Sequence, residues 1–283
     1  MTILVFGSTG QVSTELANLP DTVCLGRGSA DLTDPRACAR AIHTRAPAAV
    51  INAAAYTAVD RAESEEALAT TINGHAPTAM AAACAELAIP MVQISTDYVF
   101  NGTGTKPWEP QDSTDPLGAY GRSKLIGETG VRGSGAIHAI LRTSWVFSAH
   151  GTNFVKTMLR LGAEREELTI VADQIGGPTP ARDIALACHQ MATQLIHDGR
   201  VSGTYHFSGN PDCSWADFAR AIFKLAGLDC AVTDIPTTAY PTPAARPANS
   251  RMNCASLTDT FGIQRPDWRV GLIDTIKELE AAS

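Results

Sequence analysis

Near the start of the chain a short apolar run, Thr2-Ile3-Leu4-Val5-Phe6, is stopped by Gly7-Ser8-Thr9-Gly10, and a helical pattern opens at Gln11. Strand, glycine turn and helix in that order narrow the fold more than any other feature of the sequence. Further apolar pieces at 23–25, 48–51, 91–94 and 137–141 alternate with helically spaced segments such as 34–46 and 62–87. Strands alternating with helices predict βαβ units and a parallel sheet covered on both faces. The fold class is therefore α/β: a Rossmann-type doubly wound parallel sheet over residues 1–150. A smaller mixed α/β substrate-binding region over 151–283 is expected to pack on it, with the chain crossing back once between the two. The stretch 235–250, with Pro236, Pro241, Pro243 and Pro247, cannot be one regular element. It reads as an ordered loop against a ligand or as a flexible surface loop.

Glycines at a strand-to-helix turn let the backbone approach a pyrophosphate, which then rests on helix N–H groups. Gly7 and Gly10 stand at the first two such positions and Ser13 at the third, where a small residue permits close helix–strand packing. The alternative is an ordinary tight βα turn. The end of the second strand reads Leu25-Gly26-Arg27-Gly28, with no acid before Asp31. An acid there would hold a ribose 2′-OH, whereas Arg27 can meet a 2′-phosphate, so NADPH is expected ahead of NADH. An exposed loop arginine is the plainer reading. The small residues of Ile51-Asn52-Ala53-Ala54-Ala55-Tyr56-Thr57 would let a flat cofactor lie across the sheet edge.

Ser95-Thr96-Asp97-Tyr98 closes the strand 91–94, and Tyr120 and Lys124 follow four residues apart, on one face of a helix. A phenol of pKa ~10 exchanges protons poorly near neutrality unless a cation stabilises its phenolate. Lys124 is placed to be that cation, and the Thr96 hydroxyl to hydrogen-bond a carbonyl undergoing reduction.

Composition limits the partners. Net charge is -7, from 22 Lys+Arg against 29 Asp+Glu, so neither nucleic acid nor another extended polyanion is expected as a partner. Hydrophobic residues make up 45% and charged ones 18%, which argues against disorder. No run approaches the ~18–20 apolar residues that span a bilayer, and the first residues lack the pattern of a secretory leader. Seven cysteines, with no CxxC, read as free thiols in a reducing, cytoplasmic compartment.

The segments GSTGQV (7–12), INAAAYTAVDRAESE (51–65), STDYVFNG (95–102), AYGRSKLIGE (119–128), LRTSWVFS (141–148), NFVKTMLRL (153–161), DQIGGPT (173–179) and TTAYPTPAARPANSRMN (237–253) together resemble the extended short-chain dehydrogenase/reductase superfamily. Within it they look most like the dTDP-4-dehydrorhamnose reductase family. That resemblance implies NADPH-dependent reduction of the C4 keto group of dTDP-4-dehydro-β-L-rhamnose to dTDP-L-rhamnose. Tyr120 would give the proton to O4, Lys124 would lower the Tyr120 pKa and bind the nicotinamide ribose, and Thr96 would polarise the carbonyl. Asp97 and Trp145 would contact the sugar, and Asn153, Arg246, Asn249 and Ser250 would sit near the nucleotide diphosphate. Gln11, Val12, Asp31, Leu32, Ala55, Tyr56 and Thr57 would line the cofactor.

Some relatives form dimers bridged by magnesium through glutamates. Glu15 matches one such position, but Arg182 falls where a second acid would stand. A cation there is repulsive, so no bridging metal is expected and the chain reads as a monomer or weak homodimer. His150 and His206 read as structural. Two alternatives remain. A dehydratase or epimerase would need an acid beside Asp97, where Tyr98 stands, and a non-catalytic regulatory subunit would have no need of both Tyr120 and Lys124.

Overall fold

The computed structural model describes residues 1–282. Six parallel strands form the central sheet: β1 (Ile3–Phe6), β2 (Thr22–Leu25), β3 (Ala49–Asn52), β4 (Met91–Thr96), β5 (His138–Thr143) and β6 (Gly203–His206). They lie in the order β6-β5-β4-β3-β1-β2. The chain leaves β1 for β2 on one side and returns to β3 on the other. The crevice outside the carboxyl ends of β1 and β3 is therefore the switch point at which such sheets bind ligands.

Period-two alternation divides β1 between two cores. Ile3 and Val5 pack with Ile51, Val92 and the helices α1 (Gln11–Leu16) and α6 (Ala181–His197). Leu4 and Phe6 pack with Val50, Met91 and the helices α2 (Pro35–Arg45) and α3 (Ala76–Glu86). The expected helix at 34–46 begins where the Asp34 carboxylate accepts from the Ala37 amide and Pro35 fixes the first turn. The segment expected as one helix over 62–87 is divided: a π turn, Thr71–His75, precedes α3.

The shift in sequence texture at Gly151 marks a lobe that the chain enters and leaves. The helix α6 and the strand β6 lie beyond it, yet β6 pairs with β5 and α6 covers the first core. The helix Ala255–Phe261 returns to the same core through Leu257 and Phe261. The second lobe has its own core of Phe147, Val155, Leu168, Phe218, Trp268 and Leu272. Its frame is α5 (Phe154–Glu164), α7 (Trp215–Ala226) and α8 (Trp268–Ala281). The parallel strand pair Glu167–Val171 and Ala231–Ile235 completes it.

The proline-rich stretch is ordered in this structure. The Asp173 carboxylate accepts from the Thr237 amide at 2.9 Å and from its hydroxyl at 2.6 Å. Asn249–Ser250 then pairs with Ile175–Gly176. That pairing carries Ser250 back to the end of β4.

Candidate active site

Gly7 holds φ +115°, and a Cβ there would meet Ser13 Cβ at 3.2 Å and the Ala53 carbonyl carbon at 3.4 Å. Only glycine fits that turn. Ser13 is fully buried and donates to the Gly10 carbonyl at 3.0 Å, so serine is accommodated at the third position. Gly10 opens α1 with no side-chain cap. Val12 and Leu32, expected to line a cofactor, instead place their side chains in the two cores. Any contact from either would come from the backbone. Arg27 is exposed and adds to the lowering of the Asp31 carboxyl, which comes first from the Thr33 amide.

After β3, the Tyr56 amide donates to Asn73 Oδ1 at 2.8 Å, and Asn73 Nδ2 donates to the Tyr56 carbonyl at 2.9 Å. Asn73 Nδ2 also donates to Ser123 Oγ at 3.0 Å, and Ser123 to the Tyr120 carbonyl at 2.7 Å. Asn73 thus joins the small-residue turn at 53–57 to the helix α4 (Ala119–Gly133) that carries Tyr120 and Lys124. Sequence reading missed Asn73, because its side chain acts from a π turn that no local pattern announced.

At Gly121 a Cβ would lie 2.2 Å from the Tyr98 carbonyl oxygen, so α4 docks directly on the turn that follows β4. The Tyr98 and Tyr120 rings meet edge to face at 5.5 Å. Burial, and then the charge of Asp97, push the Tyr120 phenol upward, while the Thr96 hydroxyl works in the opposite direction. Lys124 is 4% exposed, and its ammonium donates to the Ile94 carbonyl at 2.7 Å. Burial pulls it down to about 8 against the opposing charge of Glu128. Among the described residues no hydrogen bond joins Lys124 to Tyr120.

Thr96 donates to Asp97 Oδ1 at 3.1 Å, and Ser250 to Asp97 Oδ2 at 2.5 Å. Burial raises Asp97 to about 6 despite both bonds. Thr143 is the register partner of Thr96 and is buried, and its hydroxyl has no hydrogen-bond partner among the described residues. An orphaned hydroxyl beside Thr96, and a glycine turn that a Cβ would fill, both fit a dinucleotide in this crevice.

The residues expected around a diphosphate are not grouped as such. Arg246 donates to Asp60 Oδ2 at 2.8 Å. Asn249 donates to the Lys106 carbonyl at 2.8 Å, and the Ser250 hydroxyl is spent on Asp97. Asn153 caps α5 by accepting from the Lys156 amide, and it donates to Gln11 Oε1 at 2.9 Å and to the Ser148 carbonyl at 2.7 Å. Asn153 and Gln11 therefore join the two lobes beside the glycine turn. Trp145, with a strained φ of +50°, stacks on Trp215 at 3.6 Å between ring centroids, so one face of its ring is already covered.

Apart from these, His150 Nε2 stands 3.3 Å from Glu15 and 3.6 Å from Glu278, in a cavity that Arg182 also lines. An imidazole between the two carboxylates, with a guanidinium lining the same cavity, does not fit magnesium, which takes oxygen ligands. His206 is pulled down to about 3, by burial first, and bonds the Trp108 carbonyl at 3.0 Å.

A sheet that reverses strand order at its glycine turn, followed by a helix presenting Tyr120 and Lys124, belongs to the extended short-chain dehydrogenase/reductase class. More narrowly, the RmlD substrate binding domain family matches residues 1–281, and the chain belongs to it. It is similar to the dTDP-4-dehydrorhamnose reductase of Burkholderia thailandensis, at 45% identity covering 99% of each chain. It is 44% identical to that of Sinorhizobium fredii, over 95% of this chain and 94% of the relative. The crystal structure of the Bacillus anthracis dTDP-4-dehydrorhamnose reductase in complex with NADP superposes with a TM-score of 0.91. Its sequence is 36% identical, over 98% of this chain and 100% of that one.

Proposed function

We propose that this chain reduces the C4 keto group of dTDP-4-dehydro-β-L-rhamnose with NADPH, yielding dTDP-L-rhamnose, the final step of dTDP-rhamnose synthesis. The observation that carries the reading is the placement of Thr96, Tyr120 and Lys124 around the carboxyl end of β4, in a member of this family. What bound NADPH contributes is the hydride to C4.

The chain supplies the proton and the setting. Burial keeps the Tyr120 phenol protonated at neutral pH, so it can serve as the acid toward the keto oxygen. Once the proton has left, the phenolate faces both burial and the Asp97 charge, and the Lys124 cation, one turn along α4, would offset them. Lys124 and Tyr120 would hold the nicotinamide ribose between them, a group of the right kind to couple two side chains that do not bond directly. Thr96 would hydrogen-bond the keto oxygen. Arg27 would meet the 2′-phosphate, which favours NADPH over NADH.

Tyr98 directly after Asp97 leaves no acid there to expel a hydroxyl, which speaks against a dehydratase. All seven cysteines are free, which supports a reducing, cytoplasmic setting. No helix among the described residues is long and apolar enough to cross a membrane.

The test is NADPH oxidation with the dTDP-keto-sugar, comparing wild type with Tyr120→Phe. Turnover should fall ~100-fold or more on losing the general acid. Equal rates in the two proteins, or no rate in wild type, overturn the proposal.

A further inference from the structure

One fully buried acid has no part in the mechanism above. Glu128 is fully buried and stands four residues after Lys124, on the same side of α4. Arg142, a lone charge in the apolar strand β5 and itself 2% exposed, grips it with both arms of its fork. Its Nε donates to Glu128 Oε1 at 2.9 Å and its Nη2 to Oε2 at 2.7 Å. Arg132 adds a third bond, to Oε2 at 3.0 Å. The remaining Arg142 Nη1 donates to the Pro110 carbonyl at 3.1 Å, and the Phe100 ring lies 4.9 Å from the guanidinium.

A carboxylate and a bidentate arginine would already be a complete buried pair. Burying Lys124 as a further cation acting on the same acid adds a desolvation cost that stability does not require. That excess points to the site.

We propose that Glu128, locked in place by Arg142, is a positioning residue for Lys124: one turn along the same face of α4, its buried carboxylate supplies the counter-charge for the ammonium, whose hydrogen-bond acceptor is the Ile94 carbonyl. The inference rests on the role given to Lys124 above. Glu128 opposes the burial that pulls Lys124 down to about 8. Without it, the ammonium would meet burial and two guanidiniums with no counter-charge, and would lose its proton nearer neutrality.

The other charged groups around α4 are engaged elsewhere. Arg122 pairs with Glu66, Glu63 accepts from the Ala119 amide, and Arg61 pairs with Glu65. Asp60 pairs with Arg246, and Glu86 with His43. Asp97 is bound by Thr96 and Ser250, His75 is exposed, and His138 bonds the Ala136 carbonyl. His206, pulled down to about 3, is neutral.

The test is a pH titration of cofactor-free protein labelled with 13C at the lysine ε-carbon, the Lys124 signal being identified by its loss in Lys124→Met. Glu128→Gln should lower the Lys124 midpoint by about 1 pH unit, the scale of one close charge. In turnover, the alkaline limb of the pH profile should move down with it, while KM for the sugar nucleotide stays within about twofold, since Glu128 is fully buried. Should Glu128→Gln fail to fold, Arg132→Met decides alone. Its side chain is 38% exposed, and removing it leaves the carboxylate shared with one cation fewer, which should raise the midpoint. A Lys124 midpoint unmoved in the folded variant overturns the inference. Wild type that titrates as expected but does not oxidise NADPH overturns the functional reading and leaves this one standing.

Discussion

Ser250 donates a hydrogen bond of 2.5 Å to Asp97 across 153 positions of sequence, tying the second lobe to the end of β4. Even with that bond, burial holds Asp97 near 6 against an ordinary 3.8. A folded-state value above the unfolded one means the native protein binds this proton more tightly. The stabilisation is complete below about pH 4 and is lost as pH rises through 6; a gap of roughly two units is worth about 3 kcal/mol. Asp97→Asn should therefore melt close to wild type at pH 4 and above it at pH 8. Thermal denaturation at the two pH values checks this, and an equal offset at both would sink it.

Arg27 is exposed at the end of β2, where a 2′-phosphate would lie. Arg27→Ala should raise KM for NADPH about tenfold, the scale of one charge-assisted contact, and leave KM for NADH unchanged. An unmoved ratio of the two constants removes Arg27 from cofactor choice.

Gly121 leaves no room for a side chain between α4 and the Tyr98 carbonyl. Gly121→Ala should shift the start of α4, and Tyr120 with it. Overpacking of this kind costs about 1–3 kcal/mol, but a displacement near 1 Å at the reacting groups costs about 100-fold in rate. Turnover and melting temperature measured together should show the rate falling far more than stability. A rate that falls only as far as the folded fraction falls would contradict this.

Asp60 holds both Arg246, at 2.8 Å, and the Ala244 amide, at 3.2 Å, and so fastens the proline-rich stretch to the first lobe. Asp60→Ala should raise KM for the sugar nucleotide severalfold with kcat near wild type, since a partly exposed pair contributes only about 0.2–1 kcal/mol. Arg246→Ala should raise it further, because it also removes a cation available to the diphosphate. Steady-state kinetics separates the two, and a larger effect from Asp60→Ala would reverse the assignment.

Local chemistry was enough to read the framework. A β-branched strand halted by Gly7, followed by strands and helices in alternation, leads to a doubly wound sheet whatever else the chain does. The positions of Tyr120 and Lys124 follow from helical spacing alone. Glu128, four residues further on, and Arg142, alone in an apolar strand, are legible by the same reasoning, but that they pair is not.

What the tertiary structure decided is how side-chain hydrogen bonds are spent. Arg246, Asn249, Ser250 and Asn153 stand in segments that resemble a substrate site. Yet each already bonds within the chain, to Asp60, the carbonyls of Lys106 and Ser148, Asp97 and Gln11, and Arg246 keeps further guanidinium N–H groups beside its bonds to Asp60 and Ala244. Those partners lie far away in sequence, and only the packed chain brings them together. By itself the sequence determined the sheet, the glycine turn and the shared helix face of Tyr120 and Lys124, because each depends on local geometry and spacing. The charge carried by Lys124 and Asp97 was decided by burial and by neighbours that only the fold assembles.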